Sequence, residues 1–174
     1  MPPLYGKKGL ITGIANADSI AYGCARALRR QGADLAITYL NARAEPHVRP
    51  LAEELDSELL LPLDVETPGQ TAAVFDAIAA AWGRLDFVIH ALAFAPAPDL
   101  RGRVTDCSPE GFQRAMHVSC YSFVEMARRA EPLFRDGGTL LTMSFYGADK
   151  VVGDYNLMGP VKAALQCSVR YLAR

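Results

Sequence analysis

Five short apolar runs, each bounded by turn residues and followed by a helical pattern, constrain this chain more than any other feature. The runs cover residues 9–12, 34–39, 58–63, 86–90 and 138–144. Helical spacing of apolar residues fills the intervals at 19–30, 47–55, 71–82 and 112–134, and a last helix starts near Tyr155 and heads toward Arg174. Strand and helix alternating in this way predict an α/β protein with a doubly wound parallel sheet and helices on both faces. In such a sheet ligands gather beyond the carboxyl ends of the strands. Thr12-Gly13, Tyr39-Leu40, Asp64-Val65, Ala91 to Phe94 and Ser144-Phe145 all fall there.

With no linker, repeat or low-complexity stretch, residues 1–174 read as one dinucleotide-binding domain. A chain that is 51% hydrophobic and 21% charged can bury an ordinary globular core. Its net charge of −1 gives no electrostatic reason to bind nucleic acid or an anionic membrane. The chain has no apolar run of membrane-spanning length and no signal-peptide pattern, so the expected location is cytoplasmic. Cys24, Cys107, Cys120 and Cys167 are dispersed, as are His47, His90 and His117. Reduced, mostly buried thiols and no metal site are expected.

Chemistry concentrates in two places. Tyr155 and Lys162, seven apart at the start of a helical pattern, would lie nearly two turns apart on one helix face. A phenol there can donate to negative charge developing on a carbonyl-type oxygen, while an ammonium holds a ribose and favours the ionised phenol. The second place is the turn Gly13-Ile14-Ala15-Asn16-Ala17-Asp18-Ser19 after the first strand. A glycine allows close approach to a pyrophosphate, and the first amides of the next helix can bind it. Ser19 can cap that helix or hydrogen-bond phosphate. On the residues alone, Asp64 reads as a turn-closing acid and Leu92 as a packed apolar residue.

The segment Gly13-Ile14-Ala15-Asn16-x-x-Ser19-Ile20-Ala21-x-Gly23 resembles the opening of bacterial enoyl-acyl carrier protein reductases of the short-chain dehydrogenase/reductase superfamily. The likeness continues through Asp64-Val65, His90 to Ala95, Ser119 to Phe123, and Tyr155-Asn156-Leu157-Met158-Gly159-x-x-Lys162. It implies a Rossmann-like fold that reduces the 2,3 double bond of an enoyl thioester in fatty acid biosynthesis. Gly13, Ser19 and Ile20 would then lie against the pyrophosphate, and Leu40, Asp64 and Val65 around the adenine. Leu92 would sit near the ribose, Ala95 near the substrate, and Lys162 on the nicotinamide ribose, with Tyr155 on the thioester oxygen. NADH is the expected cofactor and NADPH a possible one, since the second strand ends Thr38-Tyr39-Leu40-Asn41 with no carboxylate for a ribose hydroxyl. The resemblance also implies a homotetramer built through the two long C-terminal helices.

The chain departs from this pattern in three ways. Phe145 stands where relatives carry a substrate-side tyrosine, and Tyr146, one residue along, should point elsewhere. Pro160 falls between Tyr155 and Lys162, harmless in a first helical turn but able to kink a helix deeper in. Relatives also continue past the position of Arg174, so the fold is expected to be C-terminally incomplete, with an exposed sheet edge. A ketoreductase of the same superfamily is the nearest alternative enzyme, but its usual Y-x3-K spacing differs from the Y-x6-K here. A non-catalytic nucleotide-binding or association module is the other alternative.

Overall fold

The computed structural model describes all 174 residues, which form two compact units. The first comprises Met1–Ala91 and Arg128–Thr142, and the second Leu92–Ala127 and Met143–Arg174.

The first unit holds the sheet. Its strands are β1 (Lys8–Thr12), β2 (Asp34–Tyr39), β3 (Leu59–Pro62), β4 (Phe87–His90) and β5 (Thr139–Thr142), all parallel, in the order β3-β2-β1-β4-β5. The chain winds outward from β1 to β3, then returns to the other side of β1 for β4 and β5. This is the doubly wound order, with its switch point between β1 and β4. The consecutive residues Leu10 and Ile11 are both fully buried, so β1 is covered on both faces, as a parallel sheet requires. Leu35, Ile37, Val88 and Ile89 continue that core. Between the strands run α1 (Ile20–Arg30), α2 (Glu45–Glu54) and α3 (Gln70–Trp82), close to the helices predicted from periodicity.

At the switch point Gly13 adopts a φ of +94°, and a β-carbon on it would press inside van der Waals contact with the Ala91 carbonyl. Glycine is therefore required here by backbone approach as well as by conformation. Asp86 ties the start of β4 to β1. Its carboxylate accepts from the Lys8 backbone N–H at 2.9 Å, from Lys7 Nζ at 2.9 Å and from Arg84 at 2.6 Å.

In the second unit, α4 (Pro109–Met116) passes through a π-helical turn, His117–Tyr121, into α5 (Ser122–Ala130), whose end from Arg128 onward belongs to the first unit. The helix predicted over 112–134 therefore starts earlier, is interrupted, and stops sooner. Ser108 sets its start by accepting the Gly111 N–H at 3.0 Å, and Pro132 lies in the 3₁₀ turn that ends it. The last helix, α6 (Met158–Leu172), starts three residues later than expected. Asp154 and Asn156 have φ values of +57° and +34°, which no helix accommodates, so Tyr155 sits in a turn before α6. The expectation of a tyrosine and lysine on one helix face is corrected accordingly. Pro160 falls in the first turn of α6, where its missing N–H has no helical partner to lose, and the helix runs on to Leu172. Val161 and Leu165 of this helix are fully buried.

Candidate active site

In the first unit, Gly13, Ser19 and Ile20 lie on one turn beyond β1, Leu40 follows β2, and Asp64 and Val65 follow β3. All sit at the carboxyl ends of the strands, on the ligand side of a doubly wound sheet. Ser19 does not cap α1, which corrects one of its two expected roles. Its hydroxyl turns back and accepts the N–H groups of Ala15 and Asn16, each at 3.0 Å. The hydroxyl orders the turn, and the opening amides of α1 are left without a side-chain cap. An uncapped helix start beside a positive-φ glycine suits a pyrophosphate. Ile20 and Leu40 are more than half exposed, apolar surfaces available to a flat ring. Asp64 does close a turn, its carboxylate accepting the Glu66 N–H at 2.9 Å while its own N–H donates to Gln70 Oε1 at 2.7 Å. Val65 is buried. The donors and apolar surfaces of this unit therefore fit one end of a dinucleotide.

The second unit carries Leu92, Ala95, Phe145, Tyr155 and Lys162. Leu92 and Ala95 are half-buried in the segment leaving β4. That segment is held by Ser119, which the sequence reading included in the motif without a role. Ser119 is fully buried in the π turn, accepts the Phe94 N–H at 2.9 Å and donates to the Phe94 carbonyl at 3.1 Å. A serine inside an apolar helical pattern was the available signal. Its meaning depended on a π turn that periodicity does not reveal.

Lys162, on α6, is 5% exposed and donates to the Met143 carbonyl at 2.7 Å. That bond leaves further ammonium donors on a side chain already held in place. The phenol ring of Tyr155 packs on Phe145 with centroids 4.6 Å apart and planes tilted by 52°. Gly147 lies beneath it, where a β-carbon would come within 2.5 Å of the ring. Phe145 thus supplies a wall, while Tyr146 is 64% exposed in the following 3₁₀ turn. A cavity of about 560 Å³ opens beside Tyr155, its lining including Arg103, Val104, Gly147, Val152 and Asn156.

The electrostatics run opposite to the expected ionised phenol. Burial raises the Tyr155 pKa above its ordinary 10.0. Burial also lowers Lys162, with Cys120 pulling the other way. Tyr155 therefore remains a protonated donor at neutral pH, the state needed to stabilise an oxyanion by hydrogen bonding.

Residues 13–174 match the family model described as enoyl-(acyl carrier protein) reductase. The chain is 50% identical over 168 residues to an NADH enoyl-[acyl-carrier-protein] reductase of Rhizobium meliloti, covering 97% of this chain and 63% of that protein. It is 48% identical over 170 residues to the corresponding reductase of Rickettsia felis, covering 98% of this chain and 65% of that protein. Among solved structures, the Anaplasma phagocytophilum reductase in complex with NAD superposes with a TM-score of 0.95 at 49% identity, covering 98% of this chain and 65% of that one. The chain thus spans slightly less than two thirds of the length of these relatives. With its motifs, sheet order and overall match in agreement, the chain belongs to the enoyl-(acyl carrier protein) reductase family.

Proposed function

We propose that this protein reduces the 2,3 double bond of an enoyl thioester carried on acyl carrier protein, with NADH as cofactor. The observation that carries the reading is a half-buried Tyr155 held against Phe145 beside an open cavity, with Lys162 fixed on α6. When bound, the reduced nicotinamide supplies the hydride for the β-carbon of the substrate. The remaining tasks fall to the chain. Tyr155 donates to the thioester oxygen as enolate charge develops there, and Lys162 holds the nicotinamide ribose through donors not engaged by Met143. Gly13, Ser19 and Ile20 serve the pyrophosphate, Leu40, Asp64 and Val65 the adenine end, and Leu92 the ribose. Ala95 and Phe145 line the acyl side. NADH is favoured over NADPH by the names of the similar reductases and by the apolar Leu40 after β2.

In this reading residues 1–174 act as one dinucleotide-binding domain of a cytoplasmic homotetramer. Exposed Phe112 and Tyr121, which line one shallow groove on the helices of the second unit, support association there. No helix is long and apolar enough to cross a membrane.

The deciding experiment follows loss of NADH, then NADPH, with a crotonyl thioester as substrate. Turnover abolished by Tyr155→Phe is the expected result. Nucleotide binding without turnover would overturn the reductase reading in favour of a binding module.

A further inference from the structure

We propose that Asn156 is a positioning residue for Tyr155, tying the tyrosine's turn to the 99–103 segment so that the two are held as one piece. The inference rests on reading Tyr155 as the hydrogen-bond donor to substrate, and it concerns only the second unit.

The turn that carries Tyr155 is strained. Its two neighbours, Asp154 and Asn156, are both non-glycine residues in the left-handed region. A protein keeps such a conformation only where surrounding contacts over-determine it. Asn156 supplies those contacts. Its Nδ2 donates to the Asp99 carbonyl at 2.9 Å and the Arg101 carbonyl at 3.3 Å, with the Arg103 carbonyl at 3.5 Å. A fan of carbonyls can be met only by the nitrogen of the amide, which fixes its orientation. The opposite oxygen, Oδ1, is buried with no hydrogen-bond partner.

The far end of the tie is itself anchored. Asp99 is 7% exposed, and its carboxylate accepts the Ser108 N–H at 2.7 Å and the Ser108 hydroxyl at 3.2 Å. Gly111, at the start of α4, has no room for a β-carbon against that carboxylate. A continuous set of bonds therefore runs from α4 through Ser108 and Asp99 to Asn156, next to the phenol. Nothing in this set touches the reacting atoms, so Asn156 acts through Tyr155. Through these bonds the order of the 99–108 segment and the placement of the phenol are linked.

The test compares Asn156→Gly with Asn156→Asp in the full chain. Glycine keeps the left-handed backbone and loses the amide. Aspartate keeps the shape but turns the donor into an acceptor facing carbonyls. Both should accelerate amide hydrogen exchange in residues 97–108 by about tenfold, with little change in the sheet. Both should lower kcat by about tenfold to a hundredfold while the KM for NADH stays unchanged, because misplacement of a donor acts on the chemical step. Exchange at 97–108 matching the parent in both variants would overturn the tie, whatever happens to kcat. A parent chain that turns over no enoyl thioester would sink the reductase reading, and the exchange data would still decide the tie.

Discussion

The ring of Tyr155 lies where a β-carbon of residue 147 would otherwise be, so the absence of a side chain at Gly147 helps to shape the site. Gly147→Ala should push the ring off Phe145 and lower kcat by about tenfold or more while leaving NADH affinity in place. Fluorescence titration and steady-state kinetics on the same preparation would separate the two effects. The protonation of Tyr155 yields a second expectation. Burial raises the Tyr155 pKa above 10.0 and lowers that of Lys162, so kcat/KM for the enoyl thioester should stay level across neutral pH and fall on the alkaline side as Lys162 and Tyr155 lose their protons. In a Lys162→Arg chain, which removes the lysine titration, a break well below pH 10.0 would contradict the role given to this phenol. Sequence spacing identified the Tyr155–Lys162 pair, but not its geometry. Asp154 and Asn156 are ordinary polar residues in the sequence, and the bonds that hold Asn156 in its left-handed backbone reach carbonyls 57 and 55 positions away.

At the level of elements, β1 and β4 meet at the switch point, held by Asp86 at one end and by the Gly13–Ala91 approach at the other. Burial alone would raise the Asp86 pKa. Hydrogen bonds from the Lys8 N–H, Lys7 and Arg84 outweigh it and hold the carboxyl below its ordinary 3.8. A carboxyl lowered on folding contributes stability above its unfolded value and loses it as pH falls through the folded one. Asp86→Asn should therefore cost about 1 to 2 kcal/mol at neutral pH, and the gap from the parent should close well below pH 3.8. Denaturant melts at several pH values would reveal it. Gly13→Ala should cost about 2 kcal/mol or more, through left-handed strain and the clash with Ala91 together. All five strands were legible in the sequence because each is a compact apolar run between turns. Helix limits were less legible where they depend on a cap or an interruption, as at Ser108 and in the π turn.

For the molecule as a whole, ligand binding offers the most general check. A nucleotide that binds the folded chain at a hundred times its Kd should stabilise it by about 2.7 kcal/mol. In a chain of this size that corresponds to a rise in Tm of roughly 5–10 °C. NADH should produce a larger shift than NADPH at equal concentration, and the reverse order would reassign the cofactor. The doubly wound topology was readable because alternation and right-handed crossovers leave few other arrangements. The π turn at His117–Tyr121 has a consequence of a different kind. A π turn contains about one residue more than an α turn, so it takes up an extra residue without changing the phase of α5. Forcing this turn into regular α geometry with the extra residue retained would rotate everything after it by about 100°. Phe123 and Met126 would swing out of the core, and Ser119 would no longer face Phe94. Deleting one residue there would restore a regular helix that leaves Phe123 and Met126 in the core and removes only the wide turn that carries Ser119.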